Sequence, residues 1–411
     1  MKYFAELGQN AELSLAELLA VYPKIKIIFK TDKAVIFESD EKPDIERLGG
    51  TPKLGEVISE NKLPKEIILI DLEKESKEKK IFFGISFYGA KADKNLGREI
   101  KKNLIDRGRK VRWVIGKEKV LSSVIVRTNK LLRRGGEYCI LSPHLTSPRV
   151  QGEEGEKTSQ KDVGDGHGRP LRRKVRGGIF VAKTFEAQNF SDYEFRDMKR
   201  PARDLISGMT PPKLAKMLIN LGLGSSPFTK GGGEEGDFLD PFCGSGTLLM
   251  EAALLGIKNI YGSDVSARAV EDTSENLAWL FEKYKLSGSR LPQVKKCDVK
   301  NLADCWEKKF GLIVGEPYLG PAIRGGISPD KAQMLQQELE KNYDGYLKGL
   351  SESLKKNGRL VLIVPFIITN EKVFYLDVDI KKYGLKVVQE PILYSRPDQK
   401  IGREIYILEK I

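Results

Sequence analysis

Three aspartates stand where short apolar runs give way to polar turns. Asp240 follows Phe238-Leu239, Asp264 follows Asn259-Ile260-Tyr261-Gly262-Ser263, and Asp298 follows Val294-Lys295-Lys296-Cys297. Asp264 comes 24 residues after Asp240, a spacing that in a strand-helix-strand unit brings a carboxylate to the hydroxyls of a bound ribose. In the same frame Asp298 is placed to meet an adenine amino group. Any one of them alone is more often a cap or turn carboxylate; at three successive strand ends they read as a nucleoside-binding set.

The stretch Asp240-Pro241-Phe242-Cys243-Gly244-Ser245-Gly246-Thr247 reads as a strand ending in a glycine turn that opens the helix Leu248–Leu255. Its glycines let the backbone close on a ligand and leave helix-start N–H groups free. A dinucleotide fingerprint needs Gly or Ala three residues after Gly246, where Leu249 stands, and the Gly-Lys-Ser/Thr of a phosphate loop is absent. A pyrophosphate ligand is therefore disfavoured. S-adenosylmethionine carries ribose and adenine without phosphate, and an acidic residue ahead of the glycines faces its ammonium. It is the predicted cofactor, held by Asp240, Phe242, Gly244, Gly246, Thr247, Asp264 and Asp298. Cys243, inside the turn, has no histidine nearby in sequence and is expected to pack rather than to attack.

A second motif follows the apolar run Gly311-Leu312-Ile313-Val314, namely Gly315-Glu316-Pro317-Tyr318. Methylating an exocyclic amine requires the nitrogen lone pair to be drawn out of conjugation and aimed at the methyl carbon, so a hydrogen-bond acceptor beside a stacking ring is the apparatus to look for. Glu316 and the Pro317 carbonyl are the candidate acceptors, and Tyr318 the ring for a flipped base. The bland alternative is a plain strand-to-loop turn.

These residues need a sheet to hold them. From Asp240 onward the pattern alternates strand and helix, with strands at Asn259–Asp264, Val294–Asp298, Gly311–Val314 and Gly358–Val364 and helices at Ala267–Tyr284 and around Leu335–Leu350, which predicts a doubly wound parallel α/β sheet. Residues 1–150 read as mixed α+β. Strands are expected at Lys2–Leu7, Ile25–Phe29, Ala34–Glu38, Glu66–Leu72, Lys80–Tyr88, Lys110–Ile115 and Glu137–Leu141, with a hairpin connection at Glu73–Lys79. Helices are expected at Ala11–Val21, capped by Asn10, and at Asp93–Asp106, while Ser122–Leu132 suits helix or strand. Residues 151–176 are Gly-, Ser- and charge-rich and read as a mobile insertion or linker. Residues 177–411 are assigned to the catalytic domain, with Gly177–Thr184 as a strand.

Net charge is +13 over 411 residues. Between Lys91 and Arg134 fifteen Lys or Arg face four Asp or Glu, a concentration that points to a polyanion rather than to a diffuse solvated surface. Trp113 and Tyr138 lie in that region; core packing is the simpler reading, base stacking the alternative. Four cysteines without CxxC spacing and two histidines, His144 and His167, predict reduced thiols and no metal. No apolar run is long enough to span a membrane and no leader is apparent, so a cytoplasmic protein is expected.

Taken with Arg200-Pro201-Ala202-Arg203-Asp204, Met209–Ala215 and the tail Arg396-Pro397-Asp398-Gln399-Lys400-Ile401-Gly402-Arg403-Glu404, these motifs resemble the THUMP-containing tRNA guanosine-N2 methyltransferases of the guanosine-10 type. The match is firmest from Arg200 to the end. The resemblance implies a class I, Rossmann-like methyltransferase domain behind an N-terminal ferredoxin-like and THUMP region that binds tRNA. It adds Met209 and Pro211 to the cofactor site and makes Arg200, Arg203, Arg396 and Arg403 candidates for substrate contact. The family's usual acceptor motif is Asp-Pro-Pro-Tyr. Here the carboxylate has moved one position and gained a methylene. Rival readings are a DNA amino-methyltransferase and a non-catalytic RNA-binding protein with a decayed methyltransferase domain.

Overall fold

The computed structural model describes residues 1–75, 80–142, 178–204, 209–224, 236–286, 290–323, 325–396 and 399–411. The linker assigned to 151–176, both histidines, and Pro397-Asp398 of the tail lie outside the described residues. Two sheets organise the chain.

The first sheet is built from β1 (Lys2–Glu6), α1 (Ala11–Val21), β2 (Lys26–Lys30), β3 (Ala34–Glu38), β4 (Lys53–Glu60), α2 (Pro64–Glu73), β5 (Ile81–Tyr88), α3 (Leu96–Asp106), β6 (Val111–Val114), α4 (Ser123–Thr128), β7 (Gly135–Leu141) and β8 (Phe180–Ala187). Its strand order is β2-β3-β1-β4-β8-β7-β5-β6. Pairing is antiparallel except that β5 runs parallel to β6 and β7. Helix starts follow local chemistry: the Asn10 side chain accepts from Leu13 N at 2.9 Å, and Ser122 caps α4 in the same way, settling the ambiguous stretch as helix.

Three expectations are corrected here. Glu66–Leu72 is not a strand but lies inside α2, where Pro64 occupies the first turn and Ile68, Leu69 and Leu72 are buried on one face. A short apolar run such as Ile67-Ile68-Leu69-Ile70 carries no period of its own; as a helix it sends Ile68, Leu69 and Leu72 into one core with Ile81 and Phe83 of β5. With α2 a helix, the hairpin expected at Glu73–Lys79 has no first strand, and residues 76–79 of that connection lie outside the described residues. The domain boundary expected at residue 177 also moves, because β8 is bonded on both edges within the first sheet, to β4 and to β7.

The second sheet uses α5 (Phe190–Met198), α6 (Pro212–Leu223), β9 (Phe238–Asp240), α7 (Thr247–Leu254), β10 (Ile260–Asp264), α8 (Ala267–Lys283), β11 (Gln293–Lys296), α9 (Leu302–Cys305), β12 (Phe310–Gly315), α10 (Pro329–Glu352), β13 (Leu354–Ile368), β14 (Val373–Tyr375), β15 (Leu385–Tyr394) and β16 (Ile401–Lys410). Strand order is β11-β10-β9-β12-β13-β16-β15, with β14 on β13. The pairs from β11 to β13 are parallel and β16 is antiparallel to its neighbours. Alternate residues fill opposite cores: Phe238, Leu312, Val361 and Ile405 pack under α6, α7 and α8, while Leu239, Ile313, Leu360 and Leu408 pack under α10. Leu13 of α1 joins the first of these cores. Strand order reverses between β9 and β12, where open α/β sheets bind their ligands.

Cys297 and Cys305 are joined by a disulfide, against the expectation of reduced thiols. A turn at Val299–Asn301 and the short α9 bring their Cα atoms within 6.2 Å, inside bonding range, although no CxxC spacing announces the pair. Cys139 and Cys243 are free and buried. Among the described residues no helix is long and apolar enough to cross a membrane, and no group of three or more His, Cys, Asp or Glu is placed to hold a metal.

Candidate active site

At the C-terminal ends of β9, β10 and β12 lies a cleft of about 1260 Å³. Asp240 closes β9, Asp264 closes β10, and Asp298 stands two residues beyond β11; all three line the cleft. So do Phe242, Gly244 and Thr247 of the glycine turn, and Met209 and Pro211 ahead of α6. Gly246 does not. It caps α7 at φ +83°, and an added Cβ would stand 3.0 Å from Thr273 Cγ2, so its part is to shape the turn. Gly244 has φ +50°, and an added Cβ would meet nothing nearer than 3.9 Å.

The carboxylates suit the nucleoside predicted for them. Asp264 Oδ2 accepts from Gly244 N at 3.0 Å and Oδ1 from Ser266 N at 2.9 Å, which fixes the side chain and leaves a lone pair on each oxygen for ribose hydroxyls. Asp298 Oδ1 accepts from Lys300 N at 3.0 Å. Asp240 is 1% exposed and accepts from Phe242 N at 3.1 Å. Burial pushes its carboxyl well above the ordinary range, and the charges of Asp264 and Glu316 push it further. A carboxylate so placed is short of a cation, and the ammonium of S-adenosylmethionine would supply one. Burial also pushes the Cys243 thiol up, which disfavours a thiolate nucleophile.

The glycine turn is braced from behind. Arg200 was expected to touch substrate, but its side chain is fully buried and donates to Thr247 Oγ1 at 2.6 Å and to Asp197 Oδ1 at 3.3 Å. It is not among the residues that line the cleft, and its terminal donors are spent on Ser245, Thr247 and Asp197. Asn276 on α8 bridges the same elements, donating to Ala202 O at 2.9 Å and Ser245 O at 2.8 Å and accepting from Ala202 N at 3.0 Å. Thr273 donates to Gly244 O at 2.7 Å. Neither residue was marked in the sequence; the signal is a polar side chain on the apolar face of a helix.

On the acceptor side Glu316, Pro317 and Tyr318 share the cleft with the cofactor residues. Pro317 is buried and Tyr318 is 55% exposed, its ring at the mouth. Arg203 lines the cleft, and its Nε is buried without a hydrogen-bond partner among the described residues. Arg396 is exposed at the rim. Arg403 also lines the cleft, but its Nε donates to Glu316 at 2.6 Å. Thr210, which sequence reasoning passed over, donates to the other oxygen of Glu316. Tyr346, marked only as part of a helical repeat, meets Phe242 edge-on at 5.4 Å and lines the cleft.

Comparison with known proteins bears on this half of the chain. Residues 229–396 match the family described as RMKL-like, methyltransferase domain. A tRNA (guanine(10)-N2)-dimethyltransferase of Methanothermobacter thermautotrophicus is 31% identical over 177 residues, 43% of this chain and 44% of that protein. One from Methanocaldococcus jannaschii is 32% identical over 195 residues, 46% of each chain. A probable tRNA (guanine(10)-N2)-dimethyltransferase of Methanothermococcus thermolithotrophicus is 32% identical over 154 residues, 36% of this chain and 77% of its relative. The chain spans less than half the length of the first two. Among solved structures, TrmN from Thermus thermophilus is similar over 100% of both chains, with a TM-score of 0.52 at 15% identity, a likeness of fold.

Proposed function

The chain belongs to the tRNA (guanine(10)-N2)-dimethyltransferase family, and from that membership we propose that it transfers a methyl group from S-adenosylmethionine to the exocyclic N2 of a guanosine in tRNA. The observation that carries this reading is the sharing of one cleft by Asp240, Asp264 and Asp298 with Glu316, Pro317 and Tyr318. Asp264 would hold the ribose, Asp298 the adenine amine and Asp240 the ammonium. When bound, S-adenosylmethionine would supply an electrophilic methyl carbon to the amine nitrogen, which would lose its proton to solvent. Glu316 and the Pro317 carbonyl accept from the amine and draw its lone pair out of the ring, while Tyr318 stacks on the extruded base.

The first sheet supplies the RNA-binding half, a THUMP-like region by resemblance. Fourteen of the fifteen Lys and Arg from Lys91 to Arg134 are exposed; the exception, Arg109, donates to Glu75 O at 2.8 Å. Exposed basic side chains at this density suit phosphate contact.

The test is cofactor-dependent label transfer to bulk tRNA, with duplex DNA as competitor and calorimetry for S-adenosylmethionine. Wild type is expected to bind cofactor and label tRNA, and Glu316→Gln to keep cofactor affinity while losing turnover about 10²–10³-fold. No cofactor binding, or labelling of DNA in preference to tRNA, removes the reading.

A further inference from the structure

The acceptor carboxylate is gripped at both oxygens. Arg403 Nε donates to Glu316 Oε1 at 2.6 Å and the Thr210 hydroxyl donates to Oε2. The ion pair is largely enclosed, with the Arg403 and Glu316 side chains 16% and 12% exposed. Its two donors reach the site from distant parts of the chain. Thr210 belongs to the segment entering α6, the same segment that brings Met209 and Pro211 to the cofactor side. Arg403 lies on β16, in register with Pro365 of β13 and Tyr394 of β15. Arg403 is braced in turn: its Nη1 donates to Gln399 Oε1 at 3.4 Å, and its guanidinium lies 5.9 Å from the Tyr394 ring centre.

A grip of this kind is called for by where the carboxylate stands. Position 315 has no room for a side chain, since a Cβ added to Gly315 would come within 2.8 Å of Phe242 Cδ2 and 3.4 Å of Pro241 Cδ. The carboxylate therefore comes from residue 316 on a longer stem, whose extra torsion must be frozen before it can aim a lone pair. Each carboxylate oxygen has two acceptor sites. One on each is taken by Arg403 or Thr210, and one on each remains for an amine.

We propose that Arg403 and Thr210 are positioning residues that hold Glu316 in the orientation it needs to accept from the substrate amine, and that Arg403 is not a contact for RNA phosphate. The proposal rests on the reading of Glu316 as acceptor. It also links the two halves of the site, because Thr210 ties the cofactor-side segment to the acceptor loop by one hydrogen bond.

A double-mutant cycle on the full-length chain tests it, with Arg403→Gln, Glu316→Gln and both together, plus Arg403→Lys and Thr210→Val. Arg403→Gln is expected to lower kcat about 10²-fold with tRNA KM and cofactor Kd nearly unchanged. Arg403→Lys recovers part of that loss and Thr210→Val loses about 10-fold. In the Glu316→Gln background, removing Arg403 costs almost nothing further. Multiplicative losses in the double variant overturn the proposal. So does a raised KM at constant kcat with a shallower salt dependence of tRNA binding, the mark of a lost phosphate contact. Thermal melts of the same proteins without substrate supply a readout independent of activity: coupled shifts in Tm support the pair, and additive shifts overturn it. A wild-type protein that binds cofactor but methylates no tRNA overturns the functional reading and this proposal with it, while the melts still report whether the pair forms.

Discussion

If Asp240 faces the cofactor ammonium, as proposed, its surroundings set the terms of binding. Its carboxyl is buried beside two other acids, so without a ligand it holds its proton well above the ordinary range. The sign follows directly: the ammonium prefers the ionised form, so cofactor affinity should strengthen as pH rises through the raised value and weaken below it. Asp240→Asn keeps the shape and the acceptor for Phe242 N but removes the charge. We expect it to weaken S-adenosylmethionine binding about 10–100-fold, the worth of a charged hydrogen bond in a buried site, and to abolish the pH dependence, both measured by calorimetry. Its ligand-free Tm should be no lower than that of wild type, since an acid confined among acids is itself destabilising. At this scale the sequence tells which residues carry charge and not where the charge points. Arg200 and Arg203 are three apart in one motif, yet the first is sealed behind the glycine turn and the second lines the cleft.

Among the elements, the glycine turn depends on α8 as much as on its own residues. Asn276 satisfies three backbone groups that have no water to turn to, two of them on Ala202. Asn276→Ala leaves all three unpaired, at about 1–3 kcal/mol for each buried group before relaxation. A marked fall in Tm and a loss of about 10-fold in cofactor affinity are expected, the second because the turn no longer holds Gly244 against Asp264; an unchanged melt would show that the turn stands without it. Leu249, whose presence argued against a dinucleotide, fits a notch on β10, where an added Cβ at Gly262 would meet its Cδ1 at 2.4 Å. Strands and helices with a clear period were readable, as for α1 and β10. The α2 segment was not, because four consecutive apolar residues suit either state until their burial partners are known.

Across the whole molecule, the two sheets are locked by a buried carboxylate. Glu17 of α1 accepts from Gly49 N, Gly50 N and Asn220 Nδ2, each at 2.7 Å, and Asn220 lies on α6. Lys216, also on α6, donates to Glu46 O at 2.9 Å. Burial raises the Glu17 carboxyl to about 7 against the pull of its three donors. A carboxyl raised on folding contributes stability that is complete below its unfolded value and is lost as pH rises through its folded one. Wild type should therefore lose stability between roughly pH 4.5 and 7, by up to about 3 kcal/mol from this group, with Glu404, also raised to about 7, adding to the slope. Glu17→Gln should flatten that slope while lowering Tm throughout, because an amide cannot accept from both glycines; a slope unchanged in the variant would remove Glu17 from the account.

The sequence by itself determined the cofactor chemistry and the class of fold. Both are written in local order: apolar runs at strand length, glycines at a turn, and a carboxylate where each run ends. Tertiary structure decided what depends on distant partners. It moved Phe180–Ala187 into the first sheet, joined Cys297 to Cys305, turned Arg200 inward, and set Arg403, 87 residues from Glu316 in the chain, against the carboxylate it orients. Hydrogen-bond donors and acceptors are satisfied by whatever the fold brings near, and a sequence records the groups without recording their neighbours.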